Sequence, residues 1–166
     1  MAAELHAPPQ EVPRHRPVMS RETLDALNPR PGAVLFDGTL GLGGHAAAWL
    51  EQTAPDGQVV GLDRDEEALE LARKSLVRFG ERATLVHADY RDAGVVLDSL
   101  GLKTIDAALL DLGLGSHQLD DPDRGFSFRF DGPLDMRFDR SRAGATAADL
   151  IGQSSEAELA RVFSEF

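Results

Sequence analysis

AVLFDGTLGLGGHAAAWLE, residues 33–51, joins a short apolar run to a glycine-rich loop and then to an alanine-rich segment. The apolar run 33–36 predicts a buried strand, and residues 45–53 predict a helix. Four glycines lie between these elements, at positions 38, 41, 43 and 44. Glycine permits positive φ and close approach of backbone to a ligand, and the start of a helix offers unpaired N–H groups. The stretch therefore predicts a strand–loop–helix unit that receives a polar or anionic ligand group.

The same alternation of strand and helix continues along the chain. Further strands are predicted at 58–63, 83–87 and 105–111, and further helices at 20–27, 65–79 and 92–100. We expect Ser20 to cap the first helix, and the capping-box patterns at Thr146 and Ser155 predict two closing helices. Residues 112–145 show no clean period, which favours a long functional loop. Four strands that alternate with helices predict an α/β fold with a parallel sheet and helices on both faces.

Composition limits the classes of protein to consider. The 166 residues, 42% of them hydrophobic, fit one domain with a substantial core. A net charge of -11 argues against a self-sufficient grip on nucleic acid, which normally needs clustered Lys and Arg. The absence of cysteine excludes disulfides and thiolate metal sites. Neither a signal peptide nor an apolar run long enough for a membrane span is apparent. We therefore expect a cytoplasmic protein that does not associate with a membrane.

Each predicted strand ends at or next to an aspartate. The four are Asp37, Asp63, Asp89 and Asp111. Ligands of open parallel sheets bind outside the carboxyl ends of the strands, where these side chains would meet. A single such aspartate is as well explained by a turn. Four on one edge predict a binding site.

The spacing of this edge indicates a nucleoside cofactor. Residues 41–46 match the dinucleotide pattern in its G-x-G-x-x-A form, and Asp63 lies twenty residues after Gly43. A carboxylate there can accept both ribose hydroxyls. These features do not decide whether the cofactor is a nicotinamide dinucleotide or S-adenosylmethionine.

Three features favour S-adenosylmethionine. Asp37 would place a carboxylate where a pyrophosphate should lie, whereas a sulfonium and an ammonium group suit an acidic rim. Asp89 and Tyr90 could offer an acceptor and an aromatic face to adenine, and Asp111-Leu-Gly113 follows the strand that would flank the reacting centre. Histidines 45, 87 and 117 lack the short helical spacing of zinc motifs, so no metal is predicted. Four phenylalanines between 126 and 138 could stack RNA bases or pack beneath the loop.

Several longer motifs run from residue 15 to residue 137. They are His15-Arg-Pro-Val18, the glycine segment 37–45, Leu62-Asp-Arg-Asp65, Leu110-Asp-Leu-Gly113, Gln118-Leu-Asp-Asp121, Arg124-Gly-Phe-Ser-Phe128 and the segment 131–137. In these motifs the chain resembles the bacterial methyltransferases that modify N4 of a decoding-site cytosine in 16S ribosomal RNA. The resemblance covers nearly everything after residue 14, and the loop 118–137 is its most specific part. It implies a Rossmann-like class I methyltransferase fold, S-adenosylmethionine as the donor, and 16S rRNA of the small ribosomal subunit as the partner.

The resemblance also implies the residues of the donor site. They are Gly43, Gly44 and His45 in the loop, Asp63 at the ribose, Tyr90 near the adenine, and Asp111 and Gln118 closing over the donor. Asp111 is in addition the candidate catalytic acceptor for the hydrogens of the attacking amine. The chain departs from the family where Tyr90 replaces a usual Phe and where Gly115 and His117 replace Ser and Pro, which should loosen that turn.

The implied domain organisation is a flexible lead at 1–14, a donor-binding domain at 15–143 with its loop at 112–143, and the beginning of a helical substrate-recognition insert at 144–166. Family members continue into more of this insert and further strands, so we expect a truncated chain whose exposed sheet edge invites self-association. Two alternatives are an NAD(P)-dependent oxidoreductase and a non-catalytic remnant that binds the donor without transferring its methyl group.

Overall fold

The fold is described by a computed structural model for residues 19–165. The predicted flexible lead at 1–14 and the motif His15-Arg-Pro-Val18 lie outside the described residues.

Four parallel strands form one sheet in the order β3-β2-β1-β4. They are β1 (Val34–Asp37), β2 (Gln58–Asp63), β3 (Ala83–His87) and β4 (Ala107–Leu109). Asp37, at the end of β1, pairs with Gly61 of β2 and Leu109 of β4, so the carboxyl ends meet at one edge. The parallel α/β architecture predicted from the sequence is confirmed.

β4 is shorter than the predicted strand 105–111. Near its start, the Asp106 carboxylate accepts a hydrogen bond from the Val34 N–H, 2.9 Å away, which anchors the chain to β1 through a side chain. Beyond its end, the Asp111 N–H donates to Thr39 Oγ1 at 2.7 Å and not to a strand neighbour. A side-chain acceptor therefore takes over from strand pairing at the end of β4, whereas at its start the Asp106 N–H still donates to the Val34 carbonyl.

The described residues contain seven α-helices. They are α1 (Ser20–Leu27), α2 (Gly44–Gln52), α3 (Glu66–Leu76), α4 (Ala93–Ser99), the single turn α5 (Ser116–Leu119), α6 (Ala147–Gln153) and α7 (Glu156–Glu165). Ser20 does not cap α1 as predicted, because Met19 occupies the cap position and makes no side-chain cap bond. α3 stops three residues before the predicted Phe79, since Val77–Arg82 tightens into a 3-10 helix in which Gly80 has φ 55°.

The core has two halves, one on each face of the sheet. Leu35 and Trp49 are fully buried on the face covered by α1, α2 and α3. Phe36, the next residue along β1, packs on the opposite face with Val60, Leu62 and the helix α4. Alternation of side chains along β1 thus supplies both halves, and the prediction of helices on both faces is confirmed.

The two closing helices have the predicted caps. Thr146 Oγ1 accepts the Asp149 N–H while the Asp149 carboxylate accepts the Thr146 N–H, and Ser155 pairs with Glu158 in the same way. Neither α6 nor α7 has a buried residue. Among residues 19–165, no helix is long and apolar enough to cross a membrane.

Candidate functional site

A cavity of about 720 Å³ opens at the carboxyl edge of the sheet. The glycine loop, the ends of β2 and β4, and the loop after β4 form its walls. Six of the seven predicted donor residues line it: Gly44, His45, Asp63, Tyr90, Asp111 and Gln118. The edge that the sequence predicted is thus the edge where the structure has room for a ligand.

Gly43, the seventh, lies behind the cavity wall. Its φ is 79°, and a Cβ atom at this position would lie only 2.9 Å from Leu76 Cδ1 of α3. Glycine is therefore needed here for the loop to turn and to pack against α3. A direct contact of Gly43 with the donor stays a prediction.

Asp63 holds the glycine loop in place. Its Oδ2 atom accepts a 2.7 Å hydrogen bond from the Gly41 N–H, and its Oδ1 atom accepts a 2.9 Å bond from the Asp65 N–H. Each carboxylate oxygen has a further lone pair. Asp63 can therefore shape the loop and still accept hydrogen bonds from a ligand in the cavity.

Asp37 is buried, with only 1% of its surface exposed. Burial raises the pKa of its carboxyl to about 7; the Thr39 N–H hydrogen bond opposes this rise, and the nearby charges of Asp63 and Asp111 add to it. At neutral pH this carboxyl is partly protonated. Asp37 would therefore repel a pyrophosphate less than the sequence predicted, because its side chain is buried in the fold and does not form an acidic rim.

Asp111 and His45 are neighbours in the cavity wall. Asp111 Oδ2 lies 3.7 Å from His45 Nε2, and the Asp111 side chain is 62% exposed. The other ring nitrogen of His45, Nδ1, is buried without a hydrogen-bond partner among the described residues. Asp111 is therefore the carboxylate that both the cavity and the solvent can reach.

Asp89 does not line the main cavity, where an adenine contact was predicted for it. Its two oxygens accept hydrogen bonds from Arg91 Nε and Nη2, at 3.0 and 2.8 Å, and Arg64 Nε lies 3.5 Å away. The hydrogen bonds from Arg91 are the main cause that lowers the pKa of Asp89 to about 2. Asp89 lines a neighbouring pocket, whereas Tyr90 lines the main cavity. An adenine contact by Asp89 is therefore not supported, and the aromatic contact by Tyr90 stays a prediction.

A buried polar cluster, which the sequence did not predict, connects the long loop to the start of α3. Asp65 Oδ2 accepts hydrogen bonds from Gln118 Nε2 and from Arg124 Nη2, both 2.7 Å long. Arg124 also donates to Glu67 Oε2 at 2.9 Å and to the carbonyl of Phe138 at 3.1 Å. Burial opposes ionisation of Asp65, but hydrogen bonds from its neighbours outweigh it and hold its pKa below the usual range.

One carboxylate thus joins two arms of the loop to the start of α3. The Oδ1 atom of Asp65 caps α3 by accepting the Glu67 N–H at 3.0 Å, while Oδ2 holds Gln118 and Arg124. The cap itself could be found in the sequence as an aspartate before two glutamates. Its long-range partners lie 53 and 59 residues away and follow no local period.

The two departures at positions 115 and 117 are coupled. A Cβ atom on Gly115 would lie 2.5 Å from Cε1 of the His117 ring, closer than such contacts occur. The His117 ring occupies the space that a side chain at 115 would need, and its Nε2 lies 3.4 Å from Asp65 Oδ2. The glycine therefore makes room for the histidine.

The phenylalanines of the loop divide into two groups. Phe126 and Phe138 pack together with ring centroids 5.4 Å apart, and both line the cavity. Phe128 and Phe130 are exposed. The packing interpretation holds for the first pair, and base stacking stays open for the second. Within residues 19–165, no cluster of three or more His, Asp or Glu residues could hold a metal ion.

This sheet order, with a glycine loop after β1 and a ligand-sized cavity at the carboxyl edge, is that of a Rossmann-like fold. A solved structure with the same fold, the crystal structure of PH0851, aligns with a TM-score of 0.50 and 23% identity over 58% of this chain and 21% of that chain. The profile of the MraW methylase family matches residues 12–166, and the chain belongs to this family.

Two curated relatives have the same printed name, ribosomal RNA small subunit methyltransferase H. The protein of Syntrophotalea carbinolica is 55% identical over 157 residues, which are 95% of this chain and 50% of that protein. The protein of Geobacter sulfurreducens is 53% identical over 152 residues, which are 92% of this chain and 49% of that protein. The resemblance inferred from the motifs is confirmed. The chain spans about half the length of these relatives.

Proposed function

We propose that the cavity binds S-adenosylmethionine and that the chain is the donor-binding part of a methyltransferase acting on N4 of a cytosine in the decoding region of 16S rRNA. The observation that carries the proposal is the convergence of Gly44, His45, Asp63, Tyr90, Asp111 and Gln118 on one cavity. Membership of the MraW methylase family supports it.

In this proposal each wall of the cavity takes one part of the donor. Asp63 accepts the ribose hydroxyls, because it stands at the end of β2 and keeps free lone pairs. Tyr90 packs against the adenine, and the N–H groups of Gly44 and His45 at the start of α2 meet a polar group of the donor. Gln118 closes the loop side of the cavity, where Asp65 fixes its amide. Gly43 supports this loop from behind.

The chemistry requires an in-line approach of the cytosine amine to the methyl group that S-adenosylmethionine supplies when bound. This amine is a poor nucleophile since its lone pair is delocalised into the ring, so positioning must supply much of the rate. Asp111 is the proposed catalytic residue. Its accessible carboxylate accepts a hydrogen bond from the amine and stabilises the positive charge that develops on nitrogen. The base must leave any stack to reach this position.

The proposed partner is 16S rRNA in the small ribosomal subunit, and the proposed compartment is the cytoplasm. The relatives' name includes the small-subunit RNA, which supports this choice. We also propose that residues 15–143 act as the donor-binding domain and residues 144–166 as the beginning of an RNA-recognising insert. The outer edge of β4, the last strand of the sheet, is the proposed site of any self-association.

A second candidate is donor binding without transfer. A methylation assay on small ribosomal subunits separates the two, because tight donor binding without transfer to RNA would support the second.

Isothermal titration calorimetry of the chain with S-adenosylhomocysteine and with NAD tests the donor assignment. We expect S-adenosylhomocysteine to bind and NAD not to bind. Asp63→Ala should weaken binding at least tenfold, whereas the control Asp98→Ala should leave it unchanged, since Asp98 is exposed and pairs with Lys103. Binding of NAD alone would refute the proposal and favour the oxidoreductase.

A further inference from the structure

A second cavity, of about 500 Å³, lies beside the first on the side of β3. The ends of β2 and β3, the turn after β3 and the segment 136–145 form it. It shares Arg64, Met136 and Phe138 with the donor cavity. The two spaces are therefore neighbours along one wall, and none of the functions proposed above uses the second.

Four arginines line this cavity: Arg64, Arg91, Arg137 and Arg142. The side chains of Arg64, Arg91 and Arg142 are 50%, 74% and 64% exposed. The chain as a whole has a net charge of -11, whereas three exposed, positively charged guanidinium groups surround this cavity. We call these three residues the arginine rim.

Buried carboxylates anchor the arginine rim from below. The Asp89 side chain is 10% exposed and is approached by Arg91 Nη2 at 2.8 Å and Arg64 Nε at 3.5 Å. The Asp139 side chain is 7% exposed and is approached by Arg142 Nε at 3.1 Å and His87 Nε2 at 3.2 Å. These two carboxylates are therefore buried, whereas the three arginines that contact them are exposed.

This arrangement orients the arginines without using all of their donors. A guanidinium has five N–H groups, and Arg64 and Arg142 contact their carboxylates through Nε. Their terminal nitrogens remain available to a ligand within the part of the chain that the structure describes. Asp92 is the one exposed carboxylate that also lines the cavity, so the opening keeps an excess of positive charge.

We infer that the arginine rim binds phosphodiester groups of the RNA strand whose cytosine enters the donor cavity. This inference rests on the proposed function. Guanidinium groups match phosphate oxygens in geometry and charge. Because the two cavities share a wall, a strand held on the rim would have a neighbouring nucleotide at the mouth of the donor cavity. The arginine rim would supply positive charge for RNA binding, which the acidic chain otherwise lacks.

The test compares two double variants with equal loss of charge. In the first, Arg91→Gln and Arg142→Gln remove two rim arginines that do not line the donor cavity. In the control, Arg73→Gln and Arg78→Gln remove two exposed arginines on and after α3, which pair with Glu70 and Glu51. A third variant, Arg91→Lys with Arg142→Lys, keeps the charge.

Binding of a single-stranded 12-nucleotide RNA that contains the cytosine is measured by fluorescence anisotropy at several salt concentrations. The rim variant should bind at least tenfold more weakly and lower the slope of log K against log salt by about 1.4, since each phosphate contact to a single strand contributes about 0.7. The control should change affinity by less than about twofold, and the lysine variant should keep the slope.

Equal affinities and slopes for the rim variant and the control would overturn the inference, as would a parent chain that does not bind the RNA. Inorganic phosphate serves as a second probe. If phosphate raises the melting temperature of the parent but the rim variant binds RNA as tightly as the parent does, the site is one for free phosphate and the inference is wrong. Calorimetry with S-adenosylhomocysteine separates this result from a failure of the proposed function, because the rim variant should bind that probe as the parent does.

Discussion

Arg124→Met removes the guanidinium that ties the long loop to α3. The Arg124 side chain is 1% exposed, and its hydrogen bonds reach Asp65, Glu67 and the carbonyl of Phe138. Removing one partner of a buried ion pair costs about 3–5 kcal/mol, because the other charge is left without its counterpart. The variant should therefore lower the free energy of unfolding substantially.

The structure places the expected loss at the lower end of that range. Asp65 keeps its hydrogen bonds from the Gln118 side chain and the Glu67 N–H. The Glu67 side chain is 58% exposed and returns to solvent at little cost. We expect a loss of about 3 kcal/mol, or about 6–12 °C in melting temperature for a domain of this size. Donor affinity should fall at least tenfold, since the Phe138 segment, which lines the donor cavity, loses its hydrogen bond to Arg124.

Chemical denaturation and calorimetry with S-adenosylhomocysteine provide the two measurements. The matched control is Arg82→Met, which removes an arginine that donates to the carbonyls of Gly57 and Leu50, distant from the cavity. This control should lose stability but keep donor affinity. A free energy of unfolding for Arg124→Met within about 0.5 kcal/mol of the parent value would contradict this role of Arg124, as would equal affinities of both variants for the donor analogue.

Two further variants test other parts of the site. Asp37→Asn should flatten the pH dependence of stability: with its pKa raised from 3.8 to about 7, this carboxyl contributes stability that is full below about pH 4 and is lost as pH rises through 7, by at most about 4 kcal/mol. Urea unfolding from pH 4.5 to 8 measures this, and parallel curves for parent and variant would contradict it. Gly115→Ser should cost about 1–3 kcal/mol because its Cβ would meet the His117 ring. Adding His117→Pro should restore most of that loss, and additive losses in a double-mutant cycle would show that the two positions are independent.

Local sequence patterns predicted much of the fold. The bounds of β2 and β3 match the predicted strands, because a short apolar run between turn residues is a local signal. The predicted β4 was too long at its end because the Asp111 N–H donates to Thr39 Oγ1 in place of a strand neighbour. Such contacts depend on segments distant in sequence, and no local period reports them.

The candidate site was predictable only in part for the same reason. The glycine loop and Asp63 carry a short motif, and six predicted residues converge on one cavity. The pairing of Asp65 with Arg124, the burial that raises the pKa of Asp37, and the capture of Asp89 by Arg91 arise from tertiary packing. The arginine rim joins Arg91 and Arg142, which lie on separate elements and share no motif.

A crystal structure of the chain with S-adenosylhomocysteine would show whether the main cavity is the donor site. We expect ribose hydroxyls within hydrogen-bond distance of the Asp63 carboxylate, adenine against Tyr90, and the amino-acid part of the ligand on the side of His45 and Asp111. Density for the ligand in the cavity bounded by the arginine rim, or a ribose with no contact to Asp63, would contradict it.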